Sequence, residues 1–229
     1  MKAAIFLLLA VPALPAAAAA PAGAPAEADW ARTVVATPEG GFRMGNPAAK
    51  VKLIEYGSLT CSHCATFAKE GMAPLVNSYV RSGKVSYEYR NMVLNGLDVA
   101  ATLVARCGGA GPFFRVADRL YATQDQWKGR VRELTDAQKQ ALNALPENQR
   151  LGRLAELAGI PAIAAPLGIA PAQAKRCLAD RAEFDRLGTM NEAATTLGVP
   201  GTPTFFLNGA NIGSHTWATL EPILREAAG

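Results

Sequence analysis

Histidine is almost missing from this chain: 229 residues include only two, His63 and His215. Cysteine is sparse as well, with four: Cys61, Cys64, Cys107 and Cys177. A closed zinc site wants four ligands, commonly a second Cys-x-x-Cys or a His pair, and the sequence has neither, so no metal is expected. Charge is low, at 18% of residues and a net +4, which gives little reason to expect nucleic acid as a partner. The densest cationic cluster, Lys128, Arg130 and Arg132, reads as a solvated helix face. Beyond the N-terminus no apolar run reaches spanning length, so the body is expected to be soluble, without stable membrane insertion. There is no internal repeat. Half the residues are hydrophobic, which suits a globular body.

The N-terminus differs from the rest. Met1-Lys2 gives a short positive start, Ala3 to Leu14 is a compact apolar run, and an Ala/Pro stretch with small-residue cleavage options follows. We read residues 1–20 as a secretory signal peptide, cut near Ala19 or Ala20, and 21–31 as a flexible mature N-terminus. A membrane anchor is the rival reading, weakened by Pro12, Pro15 and the short apolar core. Loss of Lys2 with the leader takes the net charge from +4 to +3. Export moves the chain to a compartment where disulfides persist, and four cysteines permit three connectivities.

Strands are expected at Arg32 to Ala36, Val51 to Tyr56, Val85 to Met92, Thr204 to Leu207 and Ala210 to Ser214. The first ends at Pro38 and the Gly40-Gly41 turn, and Asn208-Gly209 joins the last two. Between the second and third strands lies a helix with Phe67, Leu75, Val76, Tyr79 and Val80 at helical spacing, Pro74 as a kink and Gly83 as its cap. From about 97 to 197 helix signals dominate: 97–107, 111–127, 135–145, 146–159, 170–180 and 182–198 each read as one helix. A last helix runs from Ala218 to Ala228.

The segment Cys61-Ser62-His63-Cys64 therefore sits at the strand-to-helix junction of a βαβ unit. A cysteine in the first turn of a helix faces unpaired N–H groups and the positive end of the dipole, and both favour thiolate over thiol. Cys61 is then the reactive sulfur and Cys64, one turn in, its buried partner. His63 adds an N–H or a positive charge near Cys61. A stabilised thiolate favours the reduced form and makes the disulfide a stronger oxidant. A purely structural disulfide is the bland alternative, but so short a loop constrains the unfolded chain little.

A second feature is Gly198 to Gly209, GVPGTPTFFLNG, in which Thr202-Pro203 immediately precedes a strand. Proline cannot donate within a sheet. Either a cis peptide turns the chain into the strand, or a trans proline opens it.

These two motifs, with "MGNPAAKVKLIEYGSLTCSHC" ahead of "GVPGTPTFFLNG", resemble the exported DsbA-like thiol–disulfide oxidoreductases of the thioredoxin superfamily. The resemblance covers nearly all of the mature chain. It implies an α/β, thioredoxin-like fold with an inserted helical subdomain, the first part at 32–96, the insertion at 97–197 and the second part at 198–229. It also implies that Cys61 is the nucleophile, Cys64 the buried cysteine and His63 the histidine that makes such enzymes oxidising. Pro203 would be the cis-proline, with Thr202 offering its backbone to substrate. Many members have proline where this chain has Ser62, a change that frees an N–H and loosens the turn. Glu55 takes the place of a family acid that handles protons for the buried cysteine, the alternative being a strand-end glutamate in water; Arg90 is a candidate partner for it.

The implied function is a periplasmic dithiol oxidase, monomeric and without cofactor, whose partners are reduced exported proteins and a membrane reoxidase. A disulfide reductase or isomerase is the alternative, the isomerase disfavoured because only a short linker separates the leader from the first strand. A peptide-binding chaperone with a non-essential cysteine pair is a third reading. Cys107 shares a stripe with Val99 and Leu103, and Cys177 shares one with Ala170, Ala174 and Leu178. Both are expected to point into the helical block and to pair as a structural disulfide, two inert buried thiols being the alternative.

Overall fold

The computed structural model describes residues 29–229. The expected leader, and the flexible segment up to residue 28, lie outside them. The centre of the sheet is β3 (Val51–Gly57), which pairs in parallel with β4 (Val85–Asn91) and antiparallel with β5 (Thr204–Leu207). With β1 (Val34–Ala36), β2 (Phe42–Met44) and β6 (Ala210–Gly213), the order is β1-β2-β4-β3-β5-β6. Leu53 faces Tyr87 on one side and Leu207 on the other.

Alternation along β3 sets two layers. Val51 and Leu53 join the main core with α1 (Ser62–Leu75) and α10 (Trp217–Ala228), and Glu55 is buried on the same face. Ile54 and Tyr56 face the other way, toward Phe206, Val199 and Ala194 of α9 (Arg181–Thr196). On the first face Trp217 packs near Phe67 and Tyr79, and the Tyr79 hydroxyl donates to Glu221 at 2.6 Å. Pro74 lacks the N–H that would continue the ladder, and Val76–Val80 closes as one turn of π-helix.

The strand β2 was not expected. The Gly40-Gly41 turn ends β1 as expected and folds the chain back into β2, with Thr37 N–H donating to Gly41 O at 2.9 Å, and Phe42 lands opposite Tyr89. Three residues are too few for an alternation signal to register. Residues 29–31, assigned to the flexible segment, are held: Trp30–Arg32 forms a 3₁₀ turn, Trp30 N–H donates to Arg81 O, and Asp29 pairs with Arg81 at 2.5 Å. Gly83 has φ +78°, and a Cβ there would meet the Trp30 ring at 2.8 Å.

The insertion comprises α2 (Gly96–Arg106), α3 (Ala110–Ala122), α4 (Gln124–Arg132), α5 (Asp136–Ala144), α6 (Glu147–Ala158), α7 (Ile160–Ala164) and α8 (Pro171–Leu178), leading into α9. The single helix expected over 111–127 is two, broken at Thr123, whose hydroxyl donates to Arg119 O at 2.8 Å. The break swings fully buried Trp127 back so that its indole N–H donates to Leu120 O at 2.8 Å. α2 is buried continuously from Ala100 to Arg106 and forms the axis of the subdomain.

Candidate active site

β3 delivers the chain at Gly57, where a Cβ would lie 2.5 Å from the Tyr89 ring, so only glycine lets the strand end this close to its neighbour. The segment Ser58 to Thr60 turns the backbone, and Cys61 caps α1 with extended dihedrals. Its sulfur accepts from the Cys64 N–H at 3.3 Å and lies 3.2 Å from the Thr202 carbonyl, to which the thiol donates. The two expected motifs therefore meet at one sulfur. The Thr202-Pro203 bond is cis, and Pro203 is buried. The Thr202 hydroxyl is buried without a hydrogen-bond partner.

Cys61 and Cys64 are both free thiols, the first half-buried and the second fully buried. Their proton affinities are driven apart. The Cys64 thiol hydrogen-bonds the Cys61 sulfur and, against the opposing cost of burial, together with Thr202 and the N–H groups of Cys64 and His63 lowers Cys61 to about 5. Burial, that same hydrogen bond and the negative charges of Glu55 and Cys61 hold the Cys64 thiol well above its ordinary range. His63 stands exposed on the first turn of α1 and contributes its N–H.

Glu55 is 2% exposed, so it is not a strand-end glutamate in water. Burial pushes its carboxyl up to about 8, although the Tyr87 hydroxyl donates to it at 2.6 Å and the Cys61 charge adds a smaller upward push. Arg90 is not its partner. That guanidinium pairs with Glu88 at 2.7 Å and Glu39 at 3.6 Å and donates to the Tyr56 hydroxyl at 3.1 Å, because β-strand alternation puts it on the opposite face from Glu55. Glu55 and Tyr87 line a cleft of about 320 Å³ between α1 and α3, walled by Phe67, Met72 and Phe113.

The residues that hold the Cys61 loop escaped the sequence reading. Asp98, fully buried in the first turn of α2, accepts from the Ser58 hydroxyl at 2.5 Å and the Leu59 N–H at 3.0 Å. From α3, the Tyr121 hydroxyl donates to Ser58 O at 3.1 Å. From α4, Gln124 donates to Leu59 O and Cys61 O at 2.8 and 2.9 Å, and Lys128 donates to Thr60 O at 2.7 Å. Lys128 is thus half-buried against the loop rather than part of a solvated cationic face. The one available signal was polar Gln124 and Lys128 sharing a helix face beside Trp127.

Cys107 and Cys177 are joined as a disulfide, with a Cα separation of 5.6 Å that ties α2 to α8. Both are half-buried rather than interior, since Cys107 caps the end of α2 and the bridge lies along a surface cleft with Arg106, Asp180 and Glu183. Among the described residues no three His, Cys, Asp or Glu side chains gather as a metal site, and no helix is long and apolar enough to cross a membrane.

A six-stranded mixed sheet carrying a Cys-x-x-Cys helix opposite a cis-proline is the thioredoxin-like fold, here with a helical insertion. The family model described as Thioredoxin matches residues 37–226, and the chain belongs to that family. Among solved structures it is similar to a protein-disulfide isomerase from Novosphingobium aromaticivorans, at 31% identity and a TM-score of 0.77 over 83% of this chain and 98% of that one. Wolbachia pipientis alpha-DsbA1 shares the fold at 20% identity and a TM-score of 0.67, over 85% of this chain and 94% of that one. A Rickettsia conorii relative named "Putative protein-disulfide oxidoreductase" is 28% identical over 80% of this chain. The matched part is 59% of that relative's length, so the chain corresponds to only part of it.

Proposed function

We propose that this protein is a thiol–disulfide oxidoreductase that runs as an oxidase, forming disulfides in exported proteins of the periplasm. The observation that carries the reading is the split between two cysteines one helical turn apart. Cys61 is half-exposed with its thiolate favoured to about 5, while Cys64 is buried with its thiol favoured. A pair so arranged holds its reduced form strongly, which makes its disulfide a willing acceptor of electrons.

In the oxidised enzyme a substrate thiolate attacks Cys61 Sγ, the Cys61–Cys64 bond breaks, and Cys64 leaves with the electron pair. The departing thiolate is the poorly tolerated one, and Glu55, neutral below about pH 8, is the buried acid in its neighbourhood that supplies a proton. A second substrate thiolate then attacks the substrate sulfur of the mixed disulfide and expels Cys61 as a stable thiolate. The client gains a disulfide and loses two electrons and two protons; the enzyme gains the electrons. The cysteines carry them without a cofactor, and a membrane reoxidase removes them. Thr202, beside Cys61 and ahead of the cis-proline, offers its backbone to the extended client segment. The expected leader, with its positive start, short apolar run and small-residue cleavage options, supports export.

A glutathione-buffer equilibrium tests the direction of electron flow. A potential above about −200 mV is expected, whereas one near the thioredoxin value of about −270 mV defeats the oxidase reading. The likeness to a protein-disulfide isomerase supports a second reading, reshuffling of wrong bonds. Rescue of a scrambled multi-disulfide client by the reduced protein, without net oxidation, would favour it.

A further inference from the structure

The carbonyls leading into Cys61 turn into the inserted subdomain. Gln124 Nε2 bridges Leu59 O and Cys61 O, Lys128 Nζ takes Thr60 O, and Nζ also lies 3.4 Å from Gln124 Oε1. Gln124 is 4% exposed and Lys128 half-buried, one helical turn apart on α4. Burying a carboxamide and part of an ammonium, and freezing two long side chains, is costly. Water could satisfy the same carbonyls on an open loop, so the arrangement calls for a reason beyond hydrogen-bond satisfaction.

We propose that Gln124 and Lys128 form a carbonyl clamp by which the inserted subdomain sets the reactivity of Cys61. Resting on the function proposed above, the clamp works by orientation and by charge. Holding three consecutive carbonyls on the α4 side keeps the Cys61 sulfur turned to the N–H groups at the start of α1; a carbonyl oxygen that swung toward the sulfur would disfavour its negative charge. Lys128 adds a cation bound to the peptide immediately before Cys61. The ionisable groups around the sulfur are Glu55 from β3, His63 and Cys64 from α1, Asp98 from α2 behind the loop, and Lys128 from α4. Of these Lys128 is the one lysine, and its ammonium is fixed on the Thr60 carbonyl. Gln124 and Lys128 are positioning residues, since both act through the backbone of Cys61.

The test is the rate of iodoacetamide alkylation of Cys61 against pH in the reduced protein, for wild type, Lys128→Met, Lys128→Arg and Gln124→Met. Lys128→Met and Gln124→Met are expected to move the midpoint up by about 0.5–1 pH unit, as loss of a nearby favourable charge or dipole does. Lys128→Arg, which keeps the charge and a donor, is expected to stay at the wild-type midpoint. A Lys128→Met profile that overlays wild type overturns the clamp, as does a Lys128→Arg profile displaced equally. If Gln124→Met does not fold, the two Lys128 variants decide. A wild-type profile with no thiolate below about pH 7 removes the functional reading and the clamp together; an acidic wild-type midpoint unmoved by Lys128→Met removes the clamp alone.

Discussion

Replacing Glu55 by Gln gives the most direct measure of how strongly the fold holds a buried acid beneath its cysteines. The carboxyl sits near 8 in the folded protein against an ordinary 4.5, chiefly through burial. Its folded value lies above its unfolded one, so between those pH values the native state binds the extra proton and stability falls as pH rises. Fully developed above pH 8, the loss approaches about 5 kcal/mol at 1.36 kcal/mol per pH unit; at pH 7 it is about 3 kcal/mol. Glutamine keeps an acceptor for Tyr87 but gains an amide needing a partner, at a cost of about 1 kcal/mol. The variant should therefore be more stable than wild type at pH 7 by about 2 kcal/mol, about 4–8 °C in Tm. At pH 4 the order should reverse or vanish. The assay is urea unfolding followed by tryptophan fluorescence from pH 4 to 9, with the Cys61–Cys64 disulfide formed so that neither sulfur titrates. The small push from the Cys61 charge is then absent, while burial, the largest cause, remains. Parallel pH profiles for the two proteins would refute the reasoning, because they would mean that Glu55 ionises as freely as in water.

Cys61 should alkylate with a midpoint near pH 5 while Cys64 stays unreactive, as mass mapping after brief labelling would show; equal labelling of both would contradict the split. A thiol brought from an ordinary 9.0 down to about 5 would nominally stabilise the reduced form by about 5 kcal/mol. Cys61 is half-exposed, however, and solvent screening at pH 7 leaves about 1–2 kcal/mol, or about 20–45 mV toward oxidation. Cys107→Ser with Cys177→Ser opens a bridge across a separation of 70 residues. It should cost about 2–4 kcal/mol in denaturant unfolding, and a loss below about 0.5 kcal/mol would deny the bridge a structural role. Gly57→Ala drives a methyl into the Tyr89 ring and should cost about 1–3 kcal/mol by thermal melting. Trp127→Ala removes the anchor of α4 and should cost about 3–5 kcal/mol.

Long alternating strands and capped helices were readable because their signals are local. Val51 to Tyr56 announced a buried strand, and the Cys-x-x-Cys helix followed from position alone. β2 was not readable, since three residues carry no period and its place is set by the neighbouring β4. The break at Thr123 was missed for a related reason: no glycine or proline marks it, and it is Trp127 packing back on Leu120 that turns the chain. In the site, Cys61, Cys64, Thr202 and Pro203 were legible because their chemistry is tied to residue type. Gln124, Lys128 and Asp98 were not, because an ordinary helix residue becomes a loop anchor only when the fold brings it to a carbonyl or N–H far away in sequence. Arg90 shows the converse error: adjacency of strands suggested a partner that the pleat places on the other face.

The pairing of β3 sets an order of assembly. Its partner on one side, β4, follows after a single helix, whereas β5 on the other side arrives only near the end of the chain, with Leu207 laid against Leu53. A chain made from its N-terminus therefore presents its cysteine pair long before Thr202 and Pro203 exist to face it. Through that interval the sheet has an open central edge, and the helical insertion must be made in full before the edge can close. Late contacts of this kind slow folding. The surroundings of the sulfur are completed only by the loop that leads into β5, nearly at the end of the chain.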